Sequence, residues 1–381
     1  MKRELSLTFG GGGARGAYQV GVLDFMARKY PKLNAPILTG VSAGAINASH
    51  LANHTGSFRQ KVDALIDLWS TLTVDHVFRV DNTALIMGLL KWGFQLTMLG
   101  GRKHSPEVRG FVDTEPLAVF LRKALGCCED SLAGIQTNLE RGNLRAVALT
   151  TTSYATGRTI TWCEGRNIQT WERPDRIGIP TRLQLGHVLA SAALPLFFPA
   201  VQIQGVWYGD GGLRLHSPLA PSIHLGASHI LAVSTRYNRT LDEAAVPDFV
   251  GYPPPAQIAG VLMNAIFLDL LDQDAANLQR VNELLRSTKP EARGDLRPVE
   301  LFIVRPSMDL GKLAGEYESK LPGLFRFLTR RLGTRKTNSS DLISLVMFQP
   351  DYLKKLIELG ARDAEACEEE LDAFLIGAGV C

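Results

Sequence analysis

The tightest constraint on this chain is the run FGGGGARGAYQVGVL, residues 9–23. A short apolar strand, Leu5 to Phe9, enters four consecutive glycines, Gly10 to Gly13. A helix is expected to begin near Gly16, with apolar residues at Ala17, Val20, Val22, Leu23 and Phe25. Glycine serves where the backbone must turn sharply or approach a ligand with no Cβ in the way. A helix start leaves N–H groups unpaired and carries partial positive charge. Strand, glycines and helix together therefore make a cradle for negative charge.

Two kinds of negative charge fit such a cradle. Gly11, Gly13 and Gly16 satisfy G-x-G-x-x-G, the dinucleotide pattern, which is weak by itself. It also requires a second strand ending in Asp or Glu to hold a ribose. The expected second strand, Ala35 to Thr39, runs into TGVSAGA and offers no acid, which disfavours a dinucleotide.

What stands there instead is Gly40-Val41-Ser42-Ala43-Gly44, a match to G-x-S-x-G. A Ser between small residues can sit on a tight strand-to-helix turn with its Oγ exposed at the C-terminal edge of a sheet. Gly40 and Gly44 would make room for the turn, and a helix from Ala43 to about His54 would aim its N-terminus at the Ser. Alone, the motif reads equally well as a small-residue turn with an N-capping Ser. The adjacent glycine cradle tilts it toward a nucleophile.

A serine nucleophile needs a base. None of the eight His residues sits in a convincing catalytic setting; His216 is the one near a glycine-rich turn, and it is a weak candidate. A better partner is Asp210 in Trp207-Tyr208-Gly209-Asp210-Gly211-Gly212. At a strand end followed by two glycines, this carboxylate can face the Ser and take its proton directly. Taken alone, an ordinary Asp-Gly turn explains the same residues better.

GGGARG, GVSAG and DGG, in this order, resemble the patatin-like phospholipase family of lipid acyl hydrolases. The stretches 148–158 and 190–227 also resemble the family's middle section, including an Ala-Ser-x-Ala-x-Pro turn ahead of the Asp strand. The similarity covers about residues 4–235. The resemblance implies that Ser42 is the nucleophile and Asp210 its base, with the N–H groups of Gly11, Gly12 and Gly13 as an oxyanion hole. Arg15, Gly16, Gly40, Gly44, Gly211 and Gly212 would support these motifs. It implies hydrolysis of fatty-acyl esters, a phospholipid above all, with no cofactor and no metal. Gly10 stands where many plant members carry Asp, and Gly212 makes the accepted DGG form of the family's third motif. Alternatives are an acylglycerol, small-ester or thioester hydrolase, and a non-catalytic lipid-binding protein on the same fold.

The chain has 381 residues, enough for one large or two small domains. Its formal charge, 41 basic minus 38 acidic residues, is +3, too small to argue for nucleic acid. Cys127, Cys128, Cys163, Cys367 and Cys381 form no C-x-x-C, so zinc and redox motifs are unsupported and reduced thiols are the simplest reading. MKRELSLTF is too short in its apolar run for a signal peptide, and no stretch approaches the length that spans a bilayer. A cytoplasmic protein, or one peripheral at a membrane surface, is expected.

Strands alternating with helices predict an α/β fold: a mainly parallel central sheet covered by helices, with an α-helical C-terminal extension. The expected division is a core over 1–306 and an extension over 307–381, with a lid or insert about 75–112. Within that insert Thr83 to Leu99 carries one charge, Lys91, and reads as a buried segment or as a lid over the site. Arg145–Thr152 and Thr159–Cys163 are expected to pair, 164–185 to be loop, and Asp351 to Ile376 to be one helix. A helix opened by Pro253-Pro254-Pro255 carries Ile258, Val261, Leu262, Ala265, Ile266, Leu268 and Leu271 on a stripe that reads as core, and continues with polar character to about Arg286. The basic stretch 313–332 suits either an anionic membrane surface or a solvated face. Arg15 reads as a structural ion pair fixing the glycine loop, with attraction for a phosphate headgroup as the alternative.

Overall fold

The computed structural model describes residues 3–79, 112–195, 197–246, 251–267, 270–321 and 341–380. The apolar stretch 83–99 and the part of the basic stretch 313–332 beyond 321 lie outside them. Nine strands among the described residues form one sheet: β1 (Leu5–Phe9), β2 (Ile37–Val41), β3 (Ala146–Ser153), β4 (Thr159–Gly165), β5 (Arg176–Pro180), β6 (Val201–Ile203), β7 (Val206–Asp210), β8 (His229–Val233) and β9 (Glu300–Val304). Their order is β5-β4-β3-β2-β1-β8-β9, with β7 also pairing with β3, and β6 with β7. β3, β2, β1, β8 and β9 are mutually parallel, while β4 and β7 run antiparallel to β3.

The sheet is parallel because helices connect its strands, and both faces are therefore covered. Alternate side chains of β1 go to opposite faces. Leu5, Leu7 and Phe9 join the larger core, with α1 (Gly16–Lys29), α2 (Ala43–Asn53), α3 (Phe58–Thr71) and the helix Pro350–Ala366. Ser6 and Thr8 face the other way. There, Ser6 Oγ donates to Ser222 Oγ at 2.9 Å and Thr39 Oγ1 donates to Thr8 Oγ1 at 3.1 Å, so the buried hydroxyls satisfy one another. A second core on that face packs Ile37, Ala146 and Ile230 against Leu278 of the helix Leu270–Ser287.

Helix 350–366 lies directly on α1. A Cβ at Gly21 would collide with the Ile357 carbonyl, and one at Gly360 with the Tyr18 carbonyl, so the two backbones meet at their glycines. The C-terminal helices thus share the core that supports the glycine cradle.

Several local expectations need correction. β2 runs from Ile37 to Val41 rather than from Ala35 to Thr39, because Gly40 and Val41 still pair with Leu149 and Thr150 of β3. The segment 164–185 is not all loop: β5 pairs with β4 at the sheet's edge. The last helix is two, 350–366 and Glu368–Ala378, broken at Cys367. Ile258, Val261 and Leu262 of the expected stripe, on the helix Pro255–Phe267, are not core, being 45%, 58% and 55% exposed, whereas Leu271 of the same stripe packs against the second core.

Candidate active site

The first strand-to-helix junction is rebuilt by a single 3-10 turn. β1 leads through Gly10–Gly12 into that turn, Gly13–Arg15, and directly into α1. Gly12 has φ 144° and Gly13 φ 55°, values L side chains rarely adopt. Gly13 also has no room for a side chain, since a Cβ there would collide with the Leu345 carbonyl. The carbonyl of Gly11 accepts from Thr235 Oγ1 at 2.7 Å. Among the described residues, no hydrogen bond uses the N–H groups of Gly11 and Gly12.

Arg15, buried at the end of this turn, pins it from behind. Its Nε donates to Ser344 Oγ at 2.7 Å, and its Nη2 pairs with Asp341 at 2.5 Å. The guanidinium points away from solvent into the helix Asp341–Val346, so its geometry is that of the structural ion pair.

The second junction is sharper. Ser42 lies between β2 and α2 with φ 57° and ψ −129°, backbone angles that cost about 1–3 kcal/mol for a non-glycine residue. It occupies the N-cap position of α2 but makes no side-chain capping bond, so the hydroxyl is not used as a simple N-cap. Its N–H donates instead to Ser191 Oγ at 3.0 Å. A Cβ at Gly40 would collide with the Gly44 carbonyl, and one at Gly44 with the Phe9 carbonyl, so both glycines let α2 start tightly against β1 and β2. Gly16 lets α1 pass α2: a Cβ there would stand 2.9 Å from Ala43 Cβ. The two junctions meet at Gly11, where a Cβ would stand 3.2 Å from Ser42 Cβ and 3.8 Å from its Oγ.

Asp210 closes the third side. It is the last residue of β7, opposite Thr151 of β3, and is completely buried. Its Oδ1 accepts the Gly212 N–H at 2.8 Å, and its own carbonyl accepts from Thr152 Oγ1 at 2.9 Å. A Cβ at Gly211 would collide with the Thr150 carbonyl. Burial pushes the Asp210 carboxyl up from the usual 3.8 to about 7, against the opposing help of the Ser42 hydroxyl and the Gly212 N–H. Oδ2 has no hydrogen-bond partner among the described residues. The Ser42 hydroxyl favours the ionised form of this carboxylate and so opposes the effect of burial.

Ser42, Gly12 and Gly13 form the polar end of a cleft holding about 610 Å³ of empty space, its mouth included. The rest of the lining is apolar, with Ile46, Trp69, Phe198 and Phe348 among it. Leu194 and Phe198 of the turn after helix Leu185–Ser191 belong to this wall, as do Leu345 and Val346. Phe267, on the helix Pro255–Phe267, borders the cleft, lies against Gly11 and blocks the position a Gly212 side chain would take.

Sequence reasoning missed Phe267 altogether, and it noted Ser191 only as part of a turn. Periodicity marks an apolar helix face, but nothing in it places Phe267 at a site. His216 is exposed and is not brought to Ser42, while His50 is buried with its Nε2 at the Lys61 carbonyl. No group of three or more His, Cys, Asp or Glu side chains among the described residues is placed to hold a metal ion. Among them, too, no helix is long and apolar enough to cross a membrane.

Known proteins give three results. No curated protein matches the chain. Solved structures align with it at low identity. Human GIVD cytosolic phospholipase A2 in complex with methyl gamma-linolenyl fluorophosphonate is 13% identical with a TM-score of 0.46, covering 99% of this chain and 59% of that one. VipD from Legionella pneumophila is 13% identical with a TM-score of 0.33, covering 94% and 67%. The chain thus spans about 59% of the human structure's length. The family model described as Patatin-like phospholipase matches residues 7–223, a stretch that runs from β1 past both junctions and the Asp210 strand. By that match, the chain belongs to the patatin-like phospholipase family.

Proposed function

We propose that this protein is a serine lipid acyl hydrolase that cleaves fatty-acyl esters, with phospholipids as its substrate class, through a Ser42–Asp210 dyad. The observation that carries this reading is the convergence at Ser42: a strained elbow, a wholly buried carboxylate acting on its hydroxyl, and glycine N–H groups beside it. Family membership and the apolar cleft support the lipid substrate. The core would occupy 1–306, with 307–381 as a helical extension lending Leu345, Val346 and Phe348 to the acyl wall.

Asp210 takes the proton from Ser42 Oγ as that oxygen attacks the ester carbonyl. The developing oxyanion is held by the N–H groups of Gly11, Gly12 and Gly13. One such donor is typically worth roughly 3 kcal/mol of barrier. The intermediate collapses, Asp210 returns the proton to the departing alcohol, and the acyl group stays on Ser42. Water then gives its proton to Asp210 and attacks the acyl carbon; the bond from that carbon to Ser42 Oγ breaks, Asp210 returns the proton to Ser42 Oγ, and the fatty acid leaves. A carboxyl near 7 is a stronger base than an ordinary aspartate and is still ionised to a useful degree at neutral pH.

The test is labelling by a fluorophosphonate serine probe, together with fatty-acid release from phospholipid vesicles. Wild type is expected to label and to release acid; Ser42→Ala abolishes both and Asp210→Ala reduces both sharply. Labelling that survives Ser42→Ala would overturn the assignment. Labelling without release from phospholipid, but with release from acylglycerols or short esters, would keep the chemistry and move the substrate.

A further inference from the structure

We propose that the turn Ser191–Ala193 is a positioning clamp that holds the Ser42 elbow and the Asp210 strand in register with each other. The proposal rests on the Ser42–Asp210 reading above. Ser191 is the last residue of helix 185–191 and is fully buried. Its Oγ accepts the backbone N–H of Ser42 at 3.0 Å and donates to the Thr150 carbonyl at 2.7 Å. Two residues later, the Ala193 carbonyl accepts the backbone N–H of Asp210 at 3.0 Å. One three-residue segment therefore grips the main chain of both members of the dyad.

β3 is the opposite jaw. Thr150 pairs with Val41, the residue before Ser42, and Thr151 pairs with Asp210 itself. The Thr152 hydroxyl donates to the Asp210 carbonyl at 2.9 Å. The spacing of Ser42 and Asp210 is thus set across three strands by backbone bonds, and Ser191 is the side chain that links the elbow to them. The chemistry selects a hydroxyl. At the end of β2 the Ser42 N–H bonds to Ser191 rather than to a strand carbonyl, so its partner must accept there and donate to Thr150 at once. Serine and threonine can do both; alanine can do neither. Ser191 is a positioning residue: its two hydrogen bonds are to main chain, and neither is to the Ser42 hydroxyl or the Asp210 carboxylate.

The experiment uses the full chain as wild type, Ser191→Ala and Ser191→Thr, with Ser42→Ala as control. Fluorophosphonate labelling rate, and kcat and KM on p-nitrophenyl butyrate, are measured across pH together with the melting temperature. Ser191→Ala is expected to lower kcat and labelling ~10- to 100-fold, the scale of a small misplacement of reacting groups, with KM changed by no more than about twofold. The acid limb of its pH profile moves upward, because Asp210 loses help from the Ser42 hydroxyl. Ser191→Thr recovers most of the rate and the original limb. A fall in melting temperature alone, with kcat per labelled site and pH profile unchanged, would overturn the clamp. Should Ser191→Ala not fold, Ser191→Cys, which keeps the shape but accepts weakly, is held to the same comparison. Labelling that persists in Ser42→Ala would instead remove the dyad on which the clamp depends. Loss in Ser42→Ala with wild-type behaviour in Ser191→Ala would remove the clamp alone.

Discussion

Asp210 is the group through which pH should govern both the activity and the stability of this protein. Its carboxyl is completely buried, keeps one oxygen without a partner among the described residues, and sits near 7 instead of 3.8. As the base of the proposed dyad it must be ionised. With a value near 7, the ionised fraction is ~90% at pH 8 and ~3% at pH 5.5, so kcat/KM should fall about 30-fold between them. An aspartate near 3.8 would stay almost fully ionised and give a flat profile. The same shift has a stability consequence of the opposite sign. A carboxyl raised in the folded state stabilises it while protonated, so that contribution is full below 3.8 and is lost as pH rises through about 7. At ~1.36 kcal/mol per pH unit, the loss is about 4 kcal/mol at alkaline pH. Asp210→Asn removes this ionisation. Its Oδ1 can still accept from Gly212, while its amide brings a buried donor that costs about 1–3 kcal/mol if left unpaired. The variant should be inactive, yet more stable than wild type at pH 8 by roughly 1–3 kcal/mol, and less stable than wild type by about the same amount near pH 4, where only the cost of the amide remains. Urea unfolding at pH 4, 6 and 8, read beside the pH–rate profile, checks both halves. A flat rate profile from pH 5 to 8, or an Asn variant less stable than wild type at pH 8, would refute the reasoning.

Two further substitutions test the glycine cradle and the mouth of the cleft. Gly13→Ala should cost more than the ~1 kcal/mol of a simple positive-φ replacement and should abolish fluorophosphonate labelling, because the new Cβ meets the Leu345 carbonyl. Gly142→Ala, at φ 76° with nothing within 4 Å, should cost about that amount and label at the wild-type rate; equal behaviour of the two in thermal melts and labelling would contradict the packing argument. Phe267→Ala should raise kcat/KM several-fold on a short water-soluble ester, since the ring lies against Gly11, where the ester carbonyl must arrive; an unchanged or lower value would show that the ring is no obstacle.

The parts of this site legible in the sequence are those where the backbone itself is unusual. Gly13, Gly40, Gly44 and Gly211 each stand where a Cβ would strike a carbonyl, so their positions in the chain already record which turns come close. Ser42 between two of them was readable for the same reason. What was lost depends on contacts between distant segments. The edge strand β5 pairs with β4 and is half-buried, so RIGIP carries a weak apolar signal amid polar residues and prolines. The stripe on helix 255–267 has helical period, but period states only that a face is apolar, and this one is turned outward while Phe267 turns in. The burial of Asp210, which decides its acidity, comes from β7 folding back on β3, and no local pattern near Asp210 reveals it.

The same contrast explains how a site can rest on so few side chains. At Gly44 the first turn of α2 abuts the Phe9 carbonyl, at Gly211 the Asp210 turn abuts Thr150, and at Gly13 the cradle abuts Leu345. These are contacts of main chain on main chain, and a backbone cannot yield by changing rotamer as a side chain can. Arg15 adds a buried ion pair from the cradle to Asp341, and Ser191 ties the elbow to β3. Strain at Ser42, of about 1–3 kcal/mol, can persist only where neighbours leave the elbow no relaxed alternative. The glycines therefore do two jobs at once: they admit the turns, and by bringing rigid segments together they prevent the turns from relaxing. A serine held this way presents its hydroxyl without needing a histidine to orient it. In the proposed dyad, a carboxylate wholly withdrawn from water is then basic enough, near 7, to act on that hydroxyl directly.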